Sequence, residues 1–182
     1  MFKKRVCAVQ VMIMLSPVAH AAESGTAPVP AAVVALNGCW DGRGEVMGKA
    51  VTVAIAAKPI VQDALLAVDA ESRAVADDKD RYSAHLIFGG ADKAPGASAD
   101  PIVGFWADSF GGAFTALGRG ESRLDGFDIA YQYPDNAFVN RWRIDGDRLT
   151  WQIVARNGKG VEKHFASYAL RKAACPPAED SR

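Results

Sequence analysis

The chain has 182 residues, 49% of them apolar, and its 21 lysines and arginines balance 21 aspartates and glutamates. That apolar content excludes an intrinsically disordered chain. Without a basic run, the sequence also lacks the electrostatic footprint of a nucleic-acid or anionic-membrane binder.

The first element is a targeting segment. Lys3, Lys4 and Arg5 precede the apolar run Val6–Leu15, and Ala19-His20-Ala21 supplies small residues ahead of a cleavage point. This is the layout of a secretory signal peptide over residues 1–21, with cleavage expected between Ala21 and Ala22. The apolar run is too short to span a bilayer, and no later stretch would span one. Cys7 lies before most of the apolar run, so it does not read as a lipid-anchored cysteine. Cleavage removes three cations and no anion, leaving 18 − 21 = −3 on the mature chain. Roughly 160 residues remain, enough for one domain with its own core. The expected location is outside the cytoplasm, in the periplasm. Residues 22–35 (AESGTAPVPAAVVA) read as a flexible tether, 36–175 as the domain and 176–182 as a disordered tail.

Residues 37–45 read NGCWDGRGE, with Gly38, Gly42 and Gly44 around Cys39 and Trp40. A phosphate-binding loop needs G-x-G-x-x-G, or a P-loop with Lys followed by Ser or Thr, and a helix after it. Here Gly42, Gly44 and Gly48 are spaced differently, Ala50 follows Lys49, and Val51, Val53 and Ile55 alternate as in a strand. The run is not a nucleotide loop. Residues 63–76 combine helix-forming alanines with the alternation of LLAVDA, and the alternation favours a strand. Asp77-Asp78-Lys79-Asp80 has no EF-hand pattern and reads as a solvated turn. Residues 82–88, 102–110 and 114–121 alternate as strands. Gly89–Asp100 is a loop long enough to serve as a lid over an opening.

The second half is punctuated by Asp125-Gly126, Asp145-Gly146 and Asn157-Gly158, dipeptides suited to tight hairpins. Between them, Phe127, Ile129, Tyr131 and Tyr133 share one face. Phe138, Asn140, Trp142 and Ile144 share another, with Arg141 and Arg143 opposite. Leu149, Trp151 and Ile153 follow, then a strand over 161–171 with Phe165, Tyr168 and Leu170. Eight to ten short antiparallel strands in sequence predict an all-β, up-and-down barrel, because closure removes exposed strand edges. A sandwich is the alternative.

Two cysteines survive cleavage, Cys39 and Cys175, one near each end of the domain. In an oxidising compartment they are expected to pair, two free thiols being the alternative. No further Cys or His adjoins either one in sequence, so a metal site is not expected.

The opening Gly38-Cys39-Trp40, extended to G-x-W-x-G-x-G, resembles the first strand of the calycin superfamily, including lipocalins and nitrobindin-like haem barrels. The run Gly104-Phe105-Trp106-Ala107-Asp108-Ser109 resembles bacterial lipocalin-like domains. The likeness covers roughly residues 36–172. It implies that Trp40 closes the barrel floor, that Arg171 stacks on it, and that first and last strands are neighbours, which suits a Cys39–Cys175 bridge.

The expected site is the barrel interior: Trp106, Tyr131, Tyr133, Phe138, Asn140, Trp142 and Trp151 around a small, largely apolar or aromatic molecule. A barrel simply filled by these rings is the alternative. No catalytic residue, metal or cofactor is expected outright. Asp108 is the candidate acid or base if the barrel is an enzyme, and His164 is both a second proton carrier and, by the nitrobindin likeness, a candidate haem ligand. Asp108 and Ser109 are neighbours on one strand and point to opposite faces, so they cannot serve one pocket.

Overall fold

The computed structural model describes residues 27–176, and the expectations for the signal peptide and for tail residues 177–182 fall outside the described residues. A short helix α1 (Ala31–Val34) precedes ten strands: β1 (Gly38–Val46), β2 (Lys49–Ile60), β3 (Leu65–Ala74), β4 (Arg81–Gly90), β5 (Pro101–Asp108), β6 (Ala116–Arg123), β7 (Gly126–Gln132), β8 (Asn136–Asp145), β9 (Arg148–Asn157) and β10 (Glu162–Ala173). Each strand pairs antiparallel with its sequence neighbour, and β10 pairs with β1 to close the barrel. The alternation read from the sequence sets the faces. Phe127, Ile129 and Tyr131 of β7, Trp142 of β8 and Trp151 of β9 are all buried inward. Residues 63–76 do contain a strand, β3. Among the described residues no helix is long and apolar enough to cross a membrane.

Closure depends on β1 approaching β10 closely. A Cβ at Gly42 would lie 2.1 Å from the Ala169 carbonyl oxygen, and one at Gly44 would lie 2.3 Å from that of Ser167. Side chains at these two positions would push the strands apart, and this is what the glycines of the opening run are for. The Cys39–Cys175 disulfide forms beside this seam, with Cα atoms 5.1 Å apart.

One end of the barrel is sealed. Residues 27–35, the described part of the segment expected to be a tether, instead fold back across this end. Val33 and Leu36 are fully buried, and the Trp40 Nε1–H donates to the Leu36 carbonyl at 2.7 Å. Pro28 lies against β4 so closely that a Cβ on Gly90 would come within 2.1 Å of its carbonyl oxygen. Small apolar residues look like linker in sequence, but here they are small enough to dock into the sealed end. Trp40 thus closes the floor as the resemblance implied.

The cation on Trp40 is a different one. Lys172 places Nζ 4.1 Å from the centre of the indole, whereas Arg171 pairs with Asp147 at 3.1 Å on the outer surface. The register explains the correction: Trp40 is paired with Lys172 and Asp41 with Arg171, and directly paired residues share a face.

Turn chemistry follows the sequence only in part. Gly146 adopts φ 57° as expected, but in the β9–β10 turn the positive φ falls on Gly160, not Gly158. Asn157 Oδ1 organises that turn by accepting from the amides of Lys159 and Val161, each at 3.0 Å. The β2–β3 turn uses Val61, Gln62 and Asp63 at φ 52°, 55° and 63°, without any glycine.

Two outcomes are expected. Reducing the disulfide, or Cys39→Ser, lowers the calorimetric melting midpoint, because a bridge spanning 136 residues constrains the unfolded chain by about 5 kcal/mol in the chain-entropy model. An unchanged midpoint would mean that the bridge does not stabilise the fold. In urea unfolding, Lys172→Ala costs about 1 kcal/mol, through the lost cation–ring contact and the lost hydrogen bond to the Asn37 carbonyl, while Arg171→Ala is nearly neutral.

Candidate functional site

The barrel is filled unevenly along its axis. Toward the sealed end the Trp142 and Trp151 rings stack 4.3 Å apart at 11°, and Phe127 lies parallel to Trp142 at 5.9 Å. Phe88 meets both Phe127 and Trp142 edge-on. Above Trp151 the interior opens into a cavity of about 570 Å³. Its mouth lies among the β1–β2, β3–β4, β5–β6 and β7–β8 connections, where Met47, Phe110 and Phe114 are exposed.

Of the residues expected in the site, Trp106, Tyr131, Tyr133, Phe138, Asn140 and Trp151 line this cavity together. Trp142 does not. It faces inward as expected, but it lies one layer deeper, fully buried beneath Trp151. Asp108 lines the cavity. Ser109 does not, and its hydroxyl accepts from the Ser83 amide at 3.4 Å.

His164 is exposed and outside the cavity lining, because it stands at a β-bulge between His164 and Ala166. A haem ligand or proton carrier for the interior is therefore not provided by this residue. The bulge instead turns Phe165 toward the cavity, in edge contact with Phe138 at 4.9 Å. The loop considered as a lid, which runs between β4 and β5, lies at the sealed end. Ser122 Oγ accepts there from the Asp100 amide at 2.8 Å, and no residue of the loop lines the cavity.

Among the wall residues that the sequence does not mark as site residues are Tyr82 and Tyr168. Both lie on the inward phase of their strands, Tyr82 in register with Ala84, Leu86 and Phe88, and Tyr168 with Ala166 and Leu170. Their phase was legible, but their height near the mouth was not.

The polar groups are few and mostly engaged. Asp108 Oδ2 accepts from the Trp106 indole N–H at 2.9 Å and from the Tyr82 hydroxyl at 3.1 Å, while Oδ1 accepts from the Phe110 amide at 2.9 Å. Asn140 Oδ1 accepts from the Trp151 indole at 2.8 Å, fixing that ring as the cavity floor. The Tyr133 hydroxyl donates to the Phe114 carbonyl at 2.8 Å and ties the β5–β6 rim loop to the β7–β8 connection. Gly104 and Gly118 clear room for Tyr131: a Cβ on Gly118 would lie 2.7 Å from its ring, and one on Gly104 would lie 2.9 Å from its hydroxyl.

Burial pushes every phenol of the cavity above its ordinary pKa. Tyr168 rises to about 12 by burial alone. Tyr82 rises further, first from burial and then from the adjacent Asp108, and Tyr131 rises mainly from burial. Tyr133 shifts in the same direction, again chiefly through burial. These hydroxyls therefore stay protonated as hydrogen-bond donors across the physiological range.

The fold is a closed, ten-stranded, antiparallel up-and-down barrel. Among solved structures it is similar to Rv2717c from M. tuberculosis, with a TM-score of 0.59 and 18% identity over 80% of this chain and 99% of that one. It is also similar to the S-type phycobiliprotein lyase CPES from Guillardia theta, with a TM-score of 0.51 and 13% identity over 80% of this chain and 92% of that one. At these identities the likeness is one of fold. No family model and no curated protein matches the sequence.

The phenol shifts set the alkaline behaviour. A folded pKa raised above the unfolded value means that stability is intact below pH 10 and falls as pH rises through the folded pKa values. Phenolate absorbance is thus expected to lag behind that of free tyrosine above pH 10 and to appear together with unfolding. Ordinary titration of all four tyrosines in the folded protein would contradict the buried placement.

Proposed function

We propose that this chain is an exported barrel that binds a small, largely apolar or aromatic molecule in its interior without transforming it. One observation carries the reading: a barrel sealed at one end has an open half of about 570 Å³ walled by aromatic rings. Such a volume lies in the range of small-molecule sites, and so does a lining of rings with a few fixed polar groups. Ten strands also enclose a wider interior than eight, so the side chains that fill the sealed half leave the other half free. Export is supported by the signal-peptide layout of residues 1–21 and by the Cys39–Cys175 disulfide, a bond that persists in oxidising compartments.

A second reading is an enzyme with Asp108 as proton carrier, favoured by the position of that carboxylate in the cavity beside the Tyr82 hydroxyl. It requires turnover that Asp108→Asn abolishes while binding persists. The engagement of both Asp108 oxygens by three donors favours a fixed wall group, and hence binding.

The test is isothermal titration calorimetry with naphthylmethanol, a neutral aromatic probe that fits the cavity. Saturable binding is expected in the unaltered protein and is lost in Val51→Trp, whose indole would occupy the cavity beside β2. The melting midpoint should change little, because space is already present there. Binding that survives Val51→Trp unchanged would place the site elsewhere.

A further inference from the structure

The cavity is not electrostatically neutral. Of the ionisable side chains on its wall, Asp80, Asp108 and Asp135 are acidic and Lys49 alone is basic. Lys49 is already engaged with Asp80 at 3.0 Å, out at the rim. None of the ion pairs among the described residues involves Asp108 or Asp135, and no arginine lines the cavity.

Asp108 is surrounded instead by rings. Tyr82 and Trp106 donate to it, and Phe110 follows it in the chain, its ring 5.6 Å from that of Tyr82 and 5.9 Å from that of Phe114. A carboxylate bounded by aromatic side chains, with no ion-pair partner of the protein's own, suits a positive charge twice over. The carboxylate attracts it, and so do the negative faces of the rings. An anionic ligand would meet Asp108 and Asp135, neither of them paired with a cation, and find no guanidinium to receive it.

Resting on the reading of the cavity as a binding site, we propose that its ligand is a cation: an ammonium group, primary or quaternary, carried on an apolar or aromatic body. The ammonium sits against Asp108 within Tyr82, Trp106 and Phe110, and the body extends down toward Trp151 and Tyr168.

Three probes with one aromatic body and different charge test this in calorimetric titrations of the full chain at neutral pH: naphthylmethylamine, naphthylmethanol and naphthylacetate. The amine is expected to bind about tenfold more tightly than the alcohol, and the acetate most weakly. In Asp108→Asn the amine loses more affinity than the alcohol, and its advantage falls to within about twofold. Should that variant fail to fold, Phe110→Leu at a 69% exposed position keeps the apolar bulk, removes the ring face and should weaken the amine selectively. Acetate binding as tightly as amine, or an amine advantage that survives Asp108→Asn, overturns the charge assignment. Equal binding of amine and alcohol overturns it too, yet leaves the cavity reading standing. Failure of all three probes to bind overturns both.

Discussion

Everything in this molecule depends on the seam between β1 and β10. Nine of the ten strand pairings are hairpins or short connections that local sequence can make, but the tenth joins the two ends of the domain. It forms because Gly42 and Gly44 present no side chain to the β10 backbone, so the strands meet without splaying. Once made, it abolishes both sheet edges and creates an inside. The disulfide at Cys39 and the Lys172–Trp40 contact both reinforce this same seam. Such a long-range pairing carries a large loop-closure entropy, which explains why covalent and electrostatic support gathers here.

The inside is then divided by stacking. Trp142 and Trp151 are directly paired across β8 and β9, so their rings lie one above the other, and Asn140 locks the upper one by accepting its indole hydrogen. Below them the barrel is packed, with Trp40, Leu36 and Val33 as the plug. Above them there are rings but no filling. The open half has a rigid floor, and its rim, at Met47, Phe110 and Phe114, is the exposed part.

Much of this was legible in the sequence because a strand reports its faces through a period of two. The inward set Phe127, Ile129, Tyr131 follows from that alone, as does the separation of Asp108 from Ser109. What period cannot report is height along the barrel axis. Period alone therefore places Trp142 with the cavity it underlies and does not mark Tyr82 and Tyr168 as walls. A single step in register inverts a strand, and here it exchanged Arg171 for Lys172 over Trp40. The bulge before Ala166 exchanged an interior His164 for Phe165 in the same way. The turn at Val61–Asp63 has no glycine to announce it, and the docking of residues 27–36 is a tertiary event that small apolar residues do not signal.

The four tryptophans offer a direct test of the central claim, that an accessible cavity lies above a sealed floor. Trp106 and Trp151 line it, Trp142 lies behind Trp151, and Trp40 is at the opposite end. The measurement is a heteronuclear NMR titration of the indole N–H resonances with a panel of small aromatic amines and alcohols. A binding compound is expected to move Trp106 and Trp151 most, Trp142 less, and Trp40 not at all. Indole resonances that stay fixed across the whole panel, or that move at Trp40 first, would contradict that claim.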